Sequence, residues 1–107
     1  MELKDRQRAL AEAEEKTHAY YLVKGLVYGA VDLSRVAIRD VRSYCGVLLD
    51  DNNRKPICRF HFNAKQKSIA LFDRDRQQGE REVIHRLDDI GQFRDRLQAT
   101  IRLYERD

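Results

Sequence analysis

Two apolar runs separated by a short polar segment constrain this chain more than any other feature. The first run, residues 43–49, holds Tyr44, Cys45, Val47, Leu48 and Leu49. It ends in Asp50-Asp51-Asn52-Asn53-Arg54-Lys55, and Pro56 opens the second run. Asp and Asn tolerate left-handed backbone and hydrogen-bond their own main chain, so residues 50–55 predict a hairpin turn. The second run alternates: Cys58, Phe60 and Phe62 share one side, Arg59 and His61 the other. A period of two means a strand with one face in a core and one face toward water.

The remaining segments arrange themselves around this hairpin. Residues 36–40 form a short apolar-leaning strand before it. Residues 63–66 turn the chain after it. Residues 67–72 make a further strand, 73–79 a charged loop, and 81–87 a weakly alternating last strand. Residues 2 to about 30 predict a helix. Its first half is Ala, Glu, Lys, Arg and Gln, strong helix formers of mixed charge. In its second half Leu22, Leu26 and Ala30 recur every four residues beside Val23 and Val27, a stripe suited to docking on a sheet. Residues 88–105 predict a second helix, capped by Asp88 or Asp89, with Ile90, Phe93, Leu97, Ile101 and Tyr104 on one stripe. The fold class is therefore α+β: an N-terminal helix, a four- to five-stranded mostly antiparallel sheet, and a C-terminal helix, both helices on one sheet face. Residues 1–16 read as a charged helical extension or linker and 17–107 as a single domain, consistent with 107 residues.

No arrangement of residues carries catalytic chemistry. A Mg²⁺-dependent nuclease core needs an acid near a hairpin, then an acid and a Lys on the next strand. Asp50 and Asp51 could supply the first acid, but the strand Ile57-Cys58-Arg59-Phe60-His61-Phe62 contains none. Their ordinary role is turn formation. His18, His61 and His85 lack zinc-site spacing, and Cys45 and Cys58 lie thirteen apart in apolar runs, which predicts reduced core thiols. The five glycines are scattered, with no phosphate loop. The expectation is no catalytic residue, no metal and no cofactor. No apolar run reaches membrane-spanning length and the first residues resemble no signal peptide, so a cytoplasmic location without membrane partners is expected.

Charge is more informative. Charged residues make up 36% of the chain, and its net charge is +3. Residues 34–67 hold eight basic and three acidic side chains, a surplus of +5, while each flanking segment is −1. A basic sheet face can track a phosphate backbone, with Tyr44 or His61 available to stack on a base. Arg39, Arg42, Lys55, Arg59 and Lys67 are the candidate nucleic-acid contacts. A solvated polar face with no partner is the competing reading.

Residues 43–63, Ser-Tyr-Cys-Gly-Val-Leu-Leu-Asp-Asp-Asn-Asn-Arg-Lys-Pro-Ile-Cys-Arg-Phe-His-Phe-Asn, carry a resemblance. They resemble a C-terminal module of bacterial type I restriction enzyme-like, or predicted restriction endonuclease, proteins. The similarity extends to Ile69-Ala70-Leu71-Phe72-Asp73, to Leu87-Asp88-Asp89-Ile90 and back to residues 36–40, covering about 20–104. In that family the nuclease motifs belong to a separate N-terminal domain. The resemblance therefore implies a restriction-associated accessory domain, with residues 1–16 as the end of a linker, and assigns it no site residue. Three functions follow as expectations: a non-catalytic domain contacting nucleic acid; a protein-interaction or oligomerisation module working with a nuclease domain or a second copy; and a divergent Mg²⁺-dependent nuclease using Asp50 and Asp51.

Overall fold

The computed structural model describes residues 3–72 and 78–106. Helix α1 spans Leu3–Leu26, and a 3-10 turn at Leu33–Arg35 leads into the sheet. Its strands are β1 (Val36–Asp40), β2 (Cys45–Leu49), β3 (Pro56–His61), β4 (Ser68–Phe72) and β5 (Gln78–Val83). A second 3-10 segment, Leu87–Phe93, runs directly into α2 (Arg94–Arg106). The five strands lie in chain order, each antiparallel to the next. This is the α+β architecture expected, with two terminal helices and five strands.

Local chemistry explains most element boundaries. Residues 50 and 51 take positive φ angles of 57° and 51°, the left-handed backbone that Asp tolerates better than most side chains. The turn closes with the Leu49 amide donating to the Lys55 carbonyl at 2.9 Å. Helix α1 stops four residues short of the expected 30. Gly29 adopts φ +88°, which ends a right-handed helix, and the Tyr28 amide already bonds three residues back to Gly25. At the other end of the chain, the Asp89 carboxylate accepts the backbone amides of His85 and Arg86 at 2.8 and 3.2 Å. These bonds close the start of the 3-10 segment, whose N-cap is Arg86, and not of the helix expected from residue 88, because α2 begins only at Arg94.

The core lies between the helices and one sheet face. Ala19, Val23 and Val27 of the N-terminal segment are fully buried, while Leu22 and Leu26 pack at the margin. The buried stripe is thus centred one position beyond the one the four-residue spacing suggested. Ile90, Phe93, Leu97, Ile101 and Tyr104 are all buried, as the second stripe predicted. Cys58, Phe60 and Phe62 point into this core. A bulge opposite Val47 adds Ile57 to the same side: Val47 pairs with Cys58 and Leu48 with Pro56, leaving Ile57 between them. Cys45 and Cys58 are buried free thiols, and burial pushes the Cys45 thiol up to about 11.

The last strand differs from its expectation at 81–87. Pairing starts at Gln78, opposite Phe72, and ends at Val83; Ile84 turns into the core at 2% exposure. Of the expected loop at 73–79, residues 73–77 lie outside the described residues. Side-chain bonds lock the helices to the sheet. The Tyr20 hydroxyl donates to the Val36 carbonyl at 2.6 Å, and the Tyr104 hydroxyl donates to the Pro56 carbonyl at 2.6 Å. The Gln98 amide donates to the Leu26 carbonyl at 2.8 Å, satisfying one of the open acceptors at the end of α1.

Candidate functional site: the open face of the sheet

Directly paired residues of antiparallel strands point to the same side, so the register defines the face away from the helices. Arg39 pairs with Gly46, Gly46 with Arg59, Arg59 with Ala70, and Ala70 with Arg81. One row crossing all five strands therefore reads Arg-Gly-Arg-Ala-Arg. Neighbouring strands lie about 4.8 Å apart, which places successive arginine backbones about 10 Å apart. The alternation of large and small residues gives each long side chain room to lie across its neighbour. Ala70 is fully buried and Leu48 is 6% exposed on a face over which the described residues place no helix. Arginine stems and aromatic rings cover them instead.

Arg59 is the centre of this arrangement. Its guanidinium lies 4.4 Å from the centre of the Tyr44 ring and 5.2 Å from that of Phe72. This is cation–π geometry with both rings. Its described hydrogen bond goes to the neutral Gln78 side chain at 3.3 Å, and no carboxylate of the described residues pairs with it. Tyr44 in turn lies 6.0 Å from the His61 ring. His61 is only 8% exposed, and its Nε2 has no hydrogen-bond partner. Burial, with Arg81 and Arg59 nearby, holds the imidazole below its ordinary pKa.

A concavity of about 280 Å³ opens beside Arg59. Arg39, Tyr44, Leu48, Asn53 and Arg59 wall it, and Gly46 forms its floor. A Cβ on Gly46 would lie 3.4 Å from the Tyr44 ring and 3.6 Å from the Arg39 carbonyl, so a side chain there would fill the space. Arg39 is held in place by Asn53 Oδ1 and by Asp51 at 2.8 Å. A larger depression, about 610 Å³, runs along α2. Phe72 is its one aromatic lining residue, and its Arg96 already pairs with Glu82 at 3.4 Å.

The five basic residues proposed from sequence divide accordingly. Arg39 and Arg59 share the open face. Arg42 lies exposed in the β1–β2 turn, where its carbonyl accepts the Asn63 amide at 2.9 Å. Lys55 sits in the hairpin turn, 3.7 Å from Asp50. Lys67 is on the helix side, ion-paired with Glu15 of α1 and 5.8 Å above the Phe62 ring. The surplus of residues 34–67 is therefore not gathered on one surface. Arg35 also leaves it, gripping Asp50 at 2.7 and 2.8 Å and pairing with Glu105. Arg81 and Phe72 join the face from outside that segment. Strand order alone does not put them there: the register that pairs Arg81 with Ala70, and Ala70 with Arg59, depends on the turns and on an irregularity between Ala70 and Phe72.

The acids of the hairpin are engaged by cations. Asp50 is bonded to Arg35 and Lys55, and Asp51 to Arg39. The guanidinium of Arg35 holds the Asp50 carboxyl below the usual carboxylate range. Among the described residues no three His, Cys, Asp or Glu side chains come together as a metal site. No helix of the described residues is long and apolar enough to cross a membrane. Comparison with protein-family models, curated proteins and solved structures finds no match to the chain.

Proposed function

We propose that this chain is a non-catalytic accessory domain of a prokaryotic restriction or defence protein, and that its open sheet face contacts nucleic acid. The restriction assignment rests on the resemblance of residues 43–63. The observation that carries the nucleic-acid reading is Arg59: a cation within cation–π distance of two rings, unpaired by any described carboxylate, in a row with Arg39 and Arg81. Arg42 and Lys55 lie at the hairpin rims and would add weaker contacts. Phosphate contacts supply affinity without base readout, so binding is weak and nearly sequence-independent, with a Kd around ~10⁻⁴–10⁻⁶ M at physiological salt.

The test is fluorescence anisotropy with labelled duplex and single-stranded DNA over a range of salt concentrations. Arg59→Gln removes the charge and keeps most of the stem covering Ala70. It should weaken binding uniformly across sequences and make the log K against log salt slope shallower by about one unit. Undetectable binding of both probes at low salt, or overlaid parent and variant curves, would overturn the reading.

A second reading has its own support. Leu10 and Tyr21 of α1 and Tyr28 just beyond its end are 60%, 61% and 74% exposed. Large apolar groups so exposed suit a protein-interaction or oligomerisation surface. A mass that rises with concentration, without nucleic-acid affinity, would select that reading.

A further inference from the structure

Resting on the nucleic-acid reading above, we infer that the open face takes single-stranded rather than duplex nucleic acid, with one unpaired base seated in the concavity between Arg39, Tyr44 and Arg59. Three observations lead there. The first is the chemistry of the walls. A duplex offers proteins its phosphates and the edges of its bases, while the base faces stay stacked inside. Ring and guanidinium planes are useful only to a strand whose bases are free to stack. Here the Arg59 guanidinium lies 4.4 Å from the centre of the Tyr44 ring, and Arg39 lines the same opening.

Shape is the second observation. A groove is read by an element that projects into it, an α-helix or a two-stranded ribbon. The open face is a sheet surface, and the described helices α1 and α2 pack behind it. Its recess, about 280 Å³, lies just below the range of pockets for drug-sized ligands, which suits one nucleotide-sized group. Gly46 keeps the floor open, and Leu48 provides an apolar side, so a planar base meets apolar contact below and cations at the rim. The Asn53 side chain gives an amide at the same opening, where a base edge can hydrogen-bond.

The third is the direction of the charge row. Arg39, Arg59 and Arg81 run across the strands, so an extended strand crossing the sheet meets a cation at every second β-strand. The described acid nearest this row, Asp51, is occupied by Arg39.

The experiment compares a short labelled oligothymidylate with a duplex of matched length, titrated with the full chain at low salt. The expected result is clearly tighter binding of the single strand, with a salt slope of about −1.4 from the two cations without a described carboxylate partner, Arg59 and Arg81, at about −0.7 each. Tyr44→Ala should weaken single-strand binding about 5- to 150-fold, the range seen when a stacking aromatic is removed, while Tyr44→Phe keeps it. Duplex binding should change far less in either variant. Equal or tighter binding of the duplex, or a folded Tyr44→Ala variant that holds the oligothymidylate unchanged, overturns this inference and leaves the broader reading standing. Binding of neither probe overturns both. The parent chain's preference decides the matter even if Tyr44→Ala proves unstable.

Discussion

At the scale of single residues, the open face is a set of polar groups placed where apolar ones would ordinarily sit. Arg59 is half-buried, and its stem and guanidinium shield Ala70, Tyr44 and Phe72 from water. A solvent-facing position was expected from strand alternation; the face assignment holds, but the side chain lies flat instead of extending into solvent. His61 goes further, being nearly enclosed with an unsatisfied nitrogen. Its depressed pKa has a thermodynamic consequence with a definite sign. The folded state binds a proton less readily than the unfolded chain, whose histidine titrates near about 6.5. Below that pH the unfolded state takes up more protons, so stability is fully present above it and falls as the solution is acidified. Urea midpoints measured from pH 7.5 to 5 should therefore decrease, and His61→Phe should flatten the decrease. The ring replacement also removes a buried nitrogen that has no partner, so it should not lower stability at pH 7.5. Parallel curves for parent and variant would refute the assignment. Further down, Asp50 and Glu105 are held below the usual carboxylate range by Arg35, and Asp89 by backbone amides. Their contribution disappears only as pH falls through those lowered values.

At the scale of elements, β3 is the strand that organises the rest. Phe60 pairs with Cys45 on one side and Ile69 on the other, and it is fully buried against the helices. A slip of one residue would bring Arg59 into the core, so the register is tightly specified. Phe60→Ala should destabilise by about 3–5 kcal/mol in chemical denaturation, the usual cost of deleting a buried aromatic ring. A loss under about 1 kcal/mol would mean that the core does not close over this side chain. The alternation from Cys58 to Phe62 made this face legible in the sequence, because a strand with one wet face writes its period directly. The bulge at Ile57 was not legible: it depends on how β2 and β3 align, and nothing within residues 57–62 encodes their partner's offset. The end of α1 was missed for a related reason. Val27 continues the apolar spacing and is buried in the core, but the chain has already left the helix there, turned by Gly29. Apolar spacing records burial, and burial outlasts the helix by several residues. In β5 the weak alternation marked a last strand, with Val83 exposed and Ile84 buried, but not its start at Gln78, which pairing with Phe72 sets.

At the scale of the whole molecule, one sheet separates two differently charged environments. Behind it, cations are neutralised across elements: Lys16 with Asp40, Lys67 with Glu15, Arg35 with Asp50 and Glu105, Arg96 with Glu82. These pairs tie helices to strands and leave little field for a partner. In front of it, Arg59 and Arg81 have no described carboxylate partner. A count of charge along the chain cannot make this distinction, because neighbours in sequence alternate between the two sides. That is why the basic surplus of residues 34–67 was legible while the surface bearing it was not: Lys67 falls behind the sheet and Arg81 in front. The difference is testable by exchanging their expected roles. Lys67→Ala removes a cation already paired with Glu15, so nucleic-acid affinity should stay within about twofold and the salt slope should not change. Stability is where that variant should show an effect, since it unpairs Glu15 and uncovers Phe62. Arg81→Ala should do the opposite. It lies exposed on the last strand, so stability should barely move, while binding weakens uniformly across sequences and the slope becomes shallower by about one contact. Salt-dependent anisotropy and urea melts on the two variants measure both quantities. If Lys67→Ala weakens binding more than Arg81→Ala, the nucleic acid does not lie on the open face, and the interface must be sought on the helix side.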